Sequence, residues 1–253
     1  PSGLLLVTGN CSTTFYCYNI YWINTIYLFI SKIYKKRFIN IIFILKTMTI
    51  EIFKPNENPF GISYEDHIKN FWKWTVSLPK NDNPRIDNNG QKDEIANHNS
   101  NSPVFYLSSD SGESLVERRS KVPRGRGVFI PVISVEVSEK EAKNQSVDNL
   151  KRYAKKDQDS VKDLSLKLDG VEVNDIRSYR NSTNVFELEF PQDAIFEVSP
   201  GTSKAVADGV YVITKELTPG THTIEFKGHL ETDDNDSIER KYSLNVKYIL
   251  DVQ

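Results

Sequence analysis

Over residues 63–77 the side chains Tyr64, Ile68, Phe71, Trp72 and Thr75 recur at i, i+4, i+7, i+8 and i+11, the stripe of an amphipathic helix. Ser63 stands as N-cap with Asp66 three residues on, Pro79 marks the end, and Trp74 falls off the stripe. Beyond residue 100 the period drops to two. Alternating or continuous apolar runs at 103–108, 115–121, 128–137, 164–168, 184–190, 205–217, 221–228 and 237–252 predict strands, with a short further one at 50–53.

The 128–137 run has no consistently polar face, which suits a strand buried on both sides and broken by a bulge or edge at Pro131. Asp169-Gly170 carries the residue types of a two-residue hairpin turn, and Pro219-Gly220 turns the chain into the 221–228 strand. Residues 81–101, with seven Asn, three Asp, Pro84 and Gly90, predict a long surface loop. Ser138-Glu139-Lys140-Glu141 reads as a capping box that opens a short helical insertion over 138–157. About ten short strands with few helices predict an all-β fold. The expected architecture is an antiparallel β-sandwich of jelly-roll or immunoglobulin-like type with one N-terminal amphipathic helix.

Composition adds a boundary. Residues 1–47 hold no Asp or Glu, five basic residues, ten aromatics and both cysteines, Cys11 and Cys17. Met48 is the only methionine. It reads as the natural start of a single domain over 48–253, with 1–47 an upstream read-through or non-native piece. A membrane anchor over 14–33, flanked by Lys35-Lys36-Arg37, and a cleaved signal peptide are the alternatives. From Met48 onward 27 basic residues face 34 acidic ones, a balance opposed to non-specific nucleic-acid binding. That part has no cysteine, hence no disulfide framework and no thiolate metal site. The cytoplasm is the expected location, with a membrane-anchored or extracellular one as the alternative.

The run Phe71-Trp72-Lys73-Trp74 is followed by Leu78-Pro79 and Asn83-Pro84. Pro103-Val104-Phe105-Tyr106-Leu107, Val122-Pro123-Arg124-Gly125 and Phe129-Ile130-Pro131-Val132 come next. Asp169-Gly170, Tyr179-Arg180, Ala207-Asp208-Gly209 and Leu217-Thr218-Pro219-Gly220-Thr221-His222 complete the set. Together these resemble a group of bacterial and archaeal β-sandwich proteins that has no established activity. The resemblance implies the sandwich and carries no catalytic residue. Many bacterial relatives are exported and hold a cysteine pair; Lys92 or a neighbour and Ser120 stand in those regions here. Neither export nor a disulfide therefore carries over.

Chemistry was sought among four histidines, His67, His98, His222 and His229. No pair has the helical i, i+4 spacing of a zinc protease, so no metal is read. The acidic runs do not match a calcium loop either. Gly-x-Ser-x-Gly, a phosphate loop and a dinucleotide fingerprint are all missing, so no catalytic residue is assigned and no cofactor expected. His67 is placed on the polar side of its helix. His222 shares the apolar face of Ile224 and Phe226 and is the candidate buried polar site. Arg118, Arg124 and Arg126 around one hairpin could receive an oxyanion, and Trp74 beside the 81–101 loop could form an aromatic platform. The expected function is a non-enzymatic module that binds a protein or a saccharide through its end loops. A hydrolase or lyase near His222 and a membrane-tethered surface protein are the alternatives.

Overall fold

The computed structural model describes residues 50–98, 100–108, 114–143, 145–232 and 241–253, with Lys32 and Lys35. The chain divides between Thr49 and Ile50, and every element named here belongs to the Ile50–Gln253 unit. The anchor reading of 14–33 (Lys32 apart) and the Met48 start lie outside the described residues.

Helix α1 (Tyr64–Ser77) starts where Ser63 accepts the Asp66 N–H at 3.1 Å. It buries Tyr64, Ile68, Phe71, Trp72 and Val76, so the stripe read from spacing is the packed face. His67 departs from expectation. It is buried, with Nε2 2.9 Å from Pro59 O, because the lead-in segment with Phe53 and Phe60 covers that side of the helix.

The strands are β1 (Val104–Tyr106), β2 (Val116–Val122), β3 (Gly127–Ser138), β4 (Val161–Leu168) and β5 (Val171–Glu172). They continue as β6 (Arg180–Ser182), β7 (Phe186–Phe190), β8 (Gly201–Ile213), β9 (Gly220–Glu231) and β10 (Lys241–Val252). The first sheet runs β1-β3-β8-β6, with β7 also on β8, and the second runs β2-β10-β9-β4-β5. Both are mixed, which corrects the wholly antiparallel expectation: β1 pairs with β3, and β2 with β10, in parallel. The reason is topological. The chain passes from β1 into the second sheet as β2 and returns as β3, so it re-enters beside β1 in the same direction.

The two sheets share one apolar layer. Val128, Ile130, Val135, Val206, Val210 and Val212 of the first meet Leu166, Ile224, Phe226, Leu230, Leu244 and Val246 of the second. The arrangement is sandwich-like. The other face of the first sheet buries Phe129, Ala205, Ala207, Tyr211 and Ile213 under α1. Strand β3 is thus covered on both faces, and its register on β8 slips between Pro131 and Ile133, a bulge that accommodates the missing proline N–H. Asp169 (φ 48°) and Gly170 (φ 77°) make the tight β4–β5 hairpin.

Two elements differ from the sequence reading. Gln91–His98 is a helix, α2, inside the expected loop. The insertion forms α3 (Val147–Asp159), whose cap is Ser146, while Ser138 closes only a local turn on Glu141. No helix among the described residues is long and apolar enough to cross a membrane.

Gly209 pairs with Ser134, and a Cβ there would lie 2.5 Å from Ser134 Cβ and 2.8 Å from its Cα. A Cβ on Gly228 would instead meet the movable end of Ile133 at 2.9 Å. Gly209→Ala is therefore expected to lower the urea unfolding free energy by about 1–3 kcal/mol, and Gly228→Ala by less. Equal loss in both would contradict the close β3–β8 approach.

Candidate ligand-binding site

The residues marked by sequence do not converge. Trp74 lies 5.1 Å from the Tyr106 ring and 6.1 Å from Phe71, and its Nε1–H donates to Ala96 O at 3.4 Å. It packs α1 against the end of α2. Strand alternation sends Arg118 inward and Arg119 outward, so the basic hairpin forms no single anion site. Arg124 is exposed in the β2–β3 turn. Arg126 donates to Asn97 O at 3.0 Å and Ser100 O at 2.7 Å, holding the segment that follows α2.

His222 is buried in the second sheet. Its Nδ1 is 2.8 Å from Asp169 Oδ2, and Nε2 is 2.9 Å from Thr218 O and 3.2 Å from Thr218 Oγ1. The second Asp169 oxygen accepts the Thr223 N–H at 2.7 Å. The imidazole therefore braces the β4–β5 turn against the turn that opens β9, with both ring nitrogens already facing oxygens of the fold.

Arg118 is the largest fully buried side chain among the described residues. Its Nη1 donates toward Pro84 O at 3.1 Å, Tyr248 Oη at 3.0 Å and Asp93 Oδ2 at 3.2 Å. Tyr248 Oη lies 2.8 Å from both Asp93 Oδ2 and Ser108 O. The Tyr248 oxygen in turn accepts the Ser108 N–H at 3.0 Å, so the phenol is held on all sides. Burial pushes the Asp93 carboxyl up to about 7, against the opposing pull of Arg118 and of the Tyr248 hydroxyl. Burial likewise raises Tyr248 well above the usual phenol range.

This network positions a pocket it does not enter. By holding Pro84 O, Arg118 fixes the turn that carries Arg85, whose guanidinium sits 5.8 Å above the Phe196 ring. Arg85 and Phe196 line a cavity of about 280 Å³ with Trp72, Ser134, Glu136 and Tyr242. Trp72 Nε1–H donates to Tyr211 Oη at 3.1 Å, so the indole is fixed from behind. Glu136, 2% exposed, places a carboxylate in the wall. Arg85, Phe196, Ser134, Glu136 and Tyr242 were not found by sequence reasoning. They come from four separate segments, and no spacing in the sequence links them.

The chain matches no family model, no curated protein and no solved structure, so the reading of this pocket rests on its geometry.

The Asp93 shift has a definite sign. Its folded value, about 7, lies above the ordinary 3.8, so the stability it contributes is full below about 4 and is lost as pH rises toward 7. The unfolding free energy of the native protein is expected to fall across that window relative to Asp93→Asn, which has no proton to lose. Parallel pH profiles for the two proteins would contradict the raised carboxyl.

Proposed function

We propose that the Ile50–Gln253 unit is a non-enzymatic binding module that takes a sugar residue in the pocket between Arg85, Phe196 and Tyr242. The observation that carries this reading is the lining itself: the half-buried rings of Phe196 and Tyr242, backed by the buried Trp72, beside the polar groups of Ser134, Glu136 and Arg85. A pyranose presents apolar C–H faces and a rim of hydroxyls. It calls for aromatic faces and fixed donors and acceptors together. The volume of about 280 Å³ favours one terminal sugar unit over an extended chain. The proposed framework is a β-sandwich that presents its ligand at loop-bearing ends, as jelly-roll and immunoglobulin-like sandwiches do. Here the 79–98 and 191–200 segments contribute Arg85 and Phe196 to the pocket.

This reading moves the contact away from Trp74, whose ring is taken up by packing against Tyr106 and Phe71. It also favours binding over a hydrolase or lyase at His222, because both nitrogens of that ring are engaged within the fold. A protein partner at the same end is the competing outcome.

Glycan-array screening followed by calorimetric titration tests the proposal. Binding of a mono- or oligosaccharide is expected, weakened at least about tenfold by Arg85→Ala with thermal unfolding little changed, and by Phe196→Ala, which also lowers stability because its ring packs on Phe190. Trp74→Ala is expected to lower stability and leave affinity within about twofold. No glycan bound, or a bound glycan indifferent to both pocket variants, would overturn it.

A further inference from the structure

On the opposite edge of the first sheet, α3 stands off β6 and β8 and leaves a cleft of about 580 Å³. Its base is apolar, from Ala154 and Val206, which belong to the same buried layer, and its walls carry Lys151, Lys155, Ser182 and Asn184. Lys151 and Lys155 are one helical turn apart on α3 and so share a side of the helix.

The charges in this cleft can be followed one by one. Arg180 Nε and Nη2 donate to the two Asp208 oxygens at 2.9 and 2.8 Å, a bidentate pair. Arg180 Nη1 reaches Asp159 Oδ1 at 2.6 Å, and Nη2 reaches Lys155 O at 3.1 Å. The guanidinium is thereby committed to fastening the last turn of α3 to β8, where a cation also complements the helix dipole. Burial raises the Asp208 carboxyl, and Arg180 pulls the other way. Lys155 Nζ lies 2.5 Å from the second Asp159 oxygen. Asp208 and Asp159 are thus shared by Arg180 and Lys155, while Lys151 has no ion-pair partner among the described residues. One positive charge is left over, in a cleft that Ser182 and Asn184 also line. Asn184 is held in place by Glu65, which accepts its backbone N–H at 2.9 Å and lies 3.4 Å from Nδ2.

We propose that this cleft is a second binding site, for a small molecule with an oxyanion head, carboxylate or phosphoryl, on a compact apolar body. Lys151 supplies the charge, Lys155 adds a shared one, Ser182 supplies a directional donor, and the alanine and valine base takes the body. The site is independent of the sugar pocket and shares no lining residue with it.

The test titrates the full chain by calorimetry with inorganic phosphate, and separately with benzoate, at ionic strength held constant with chloride. Saturable binding of both probes is expected at one common site, with benzoate the tighter because it also covers the apolar base. Lys151→Glu is expected to weaken it at least about tenfold and Ser182→Ala by less, while Arg124→Ala, at an exposed arginine elsewhere, leaves it unchanged. Lys151 is exposed on a helix, so unchanged circular dichroism unfolding of Lys151→Glu accompanies the loss. Tight phosphate with no benzoate competition would remove the apolar-body assignment. No saturable binding of either probe, or binding that Lys151→Glu leaves intact or Arg124→Ala weakens equally, would overturn the site itself.

Discussion

A guanidinium without access to water has to find acceptors inside the fold, and Arg118 is such a group. Strand alternation in β2 points it into the protein, where it meets Tyr248, its direct partner on the neighbouring strand β10, and, from outside the sheet, Pro84 O and Asp93. That requirement draws the 79–98 segment down onto the second sheet. Asn83 then closes the end of α1 by donating to Thr75 O at 2.7 Å, and Asp87 takes the N–H groups of Asn89 and Lys92 to turn the chain into α2. Arg85, two residues beyond Asn83, is carried to Phe196. The pocket proposed to hold a sugar is therefore downstream of one buried charge on the other side of the loop.

Where side-chain burial follows a simple period, the sequence was readable. The α1 stripe, the doubly covered β3 with its break at Pro131, and the Asp169-Gly170 hairpin all obey local rules that a single chain displays. The parallel pairs do not, because β1 and β2 find their neighbours only after the chain has crossed between sheets. Helix α2 was hidden for another reason. Residues 81–101 are polar, and polarity was taken as exposure, whereas Asn83, Asp93 and Asn97 are fully buried. Asn97 alone donates to Asp93 O and Tyr106 O at 2.8 Å each and accepts the Tyr106 N–H at 2.7 Å. Short amide and carboxylate side chains can replace a missing secondary-structure ladder in this way, and hydrophobic periodicity does not register it.

The same blindness governed the sites. Arg118, Arg124 and Arg126 are close in sequence, yet one is a buried structural cation, one is exposed in a turn and one clamps a loop. His222 was legible as a buried hydrogen-bonded histidine because its neighbours Ile224 and Phe226 define an inward face. The pocket lining was not, since no spacing links Arg85 with Phe196 or Ser134 with Tyr242. Ser120 ties β2 to the turn before α2, its hydroxyl donating to Gly90 O at 2.7 Å.

Native-state hydrogen exchange tests most directly whether the Asn- and Asp-rich segment is folded inward around Arg118. The amides of Lys92, Tyr106 and Arg119 bond to Asp87, Asn97 and Asn89 O respectively, so each depends on that segment holding its place. Protection of these three comparable to the amides of paired β9 and β10 is the predicted result. Exchange at the rate of an unstructured peptide, while β9 and β10 stay protected, would contradict it.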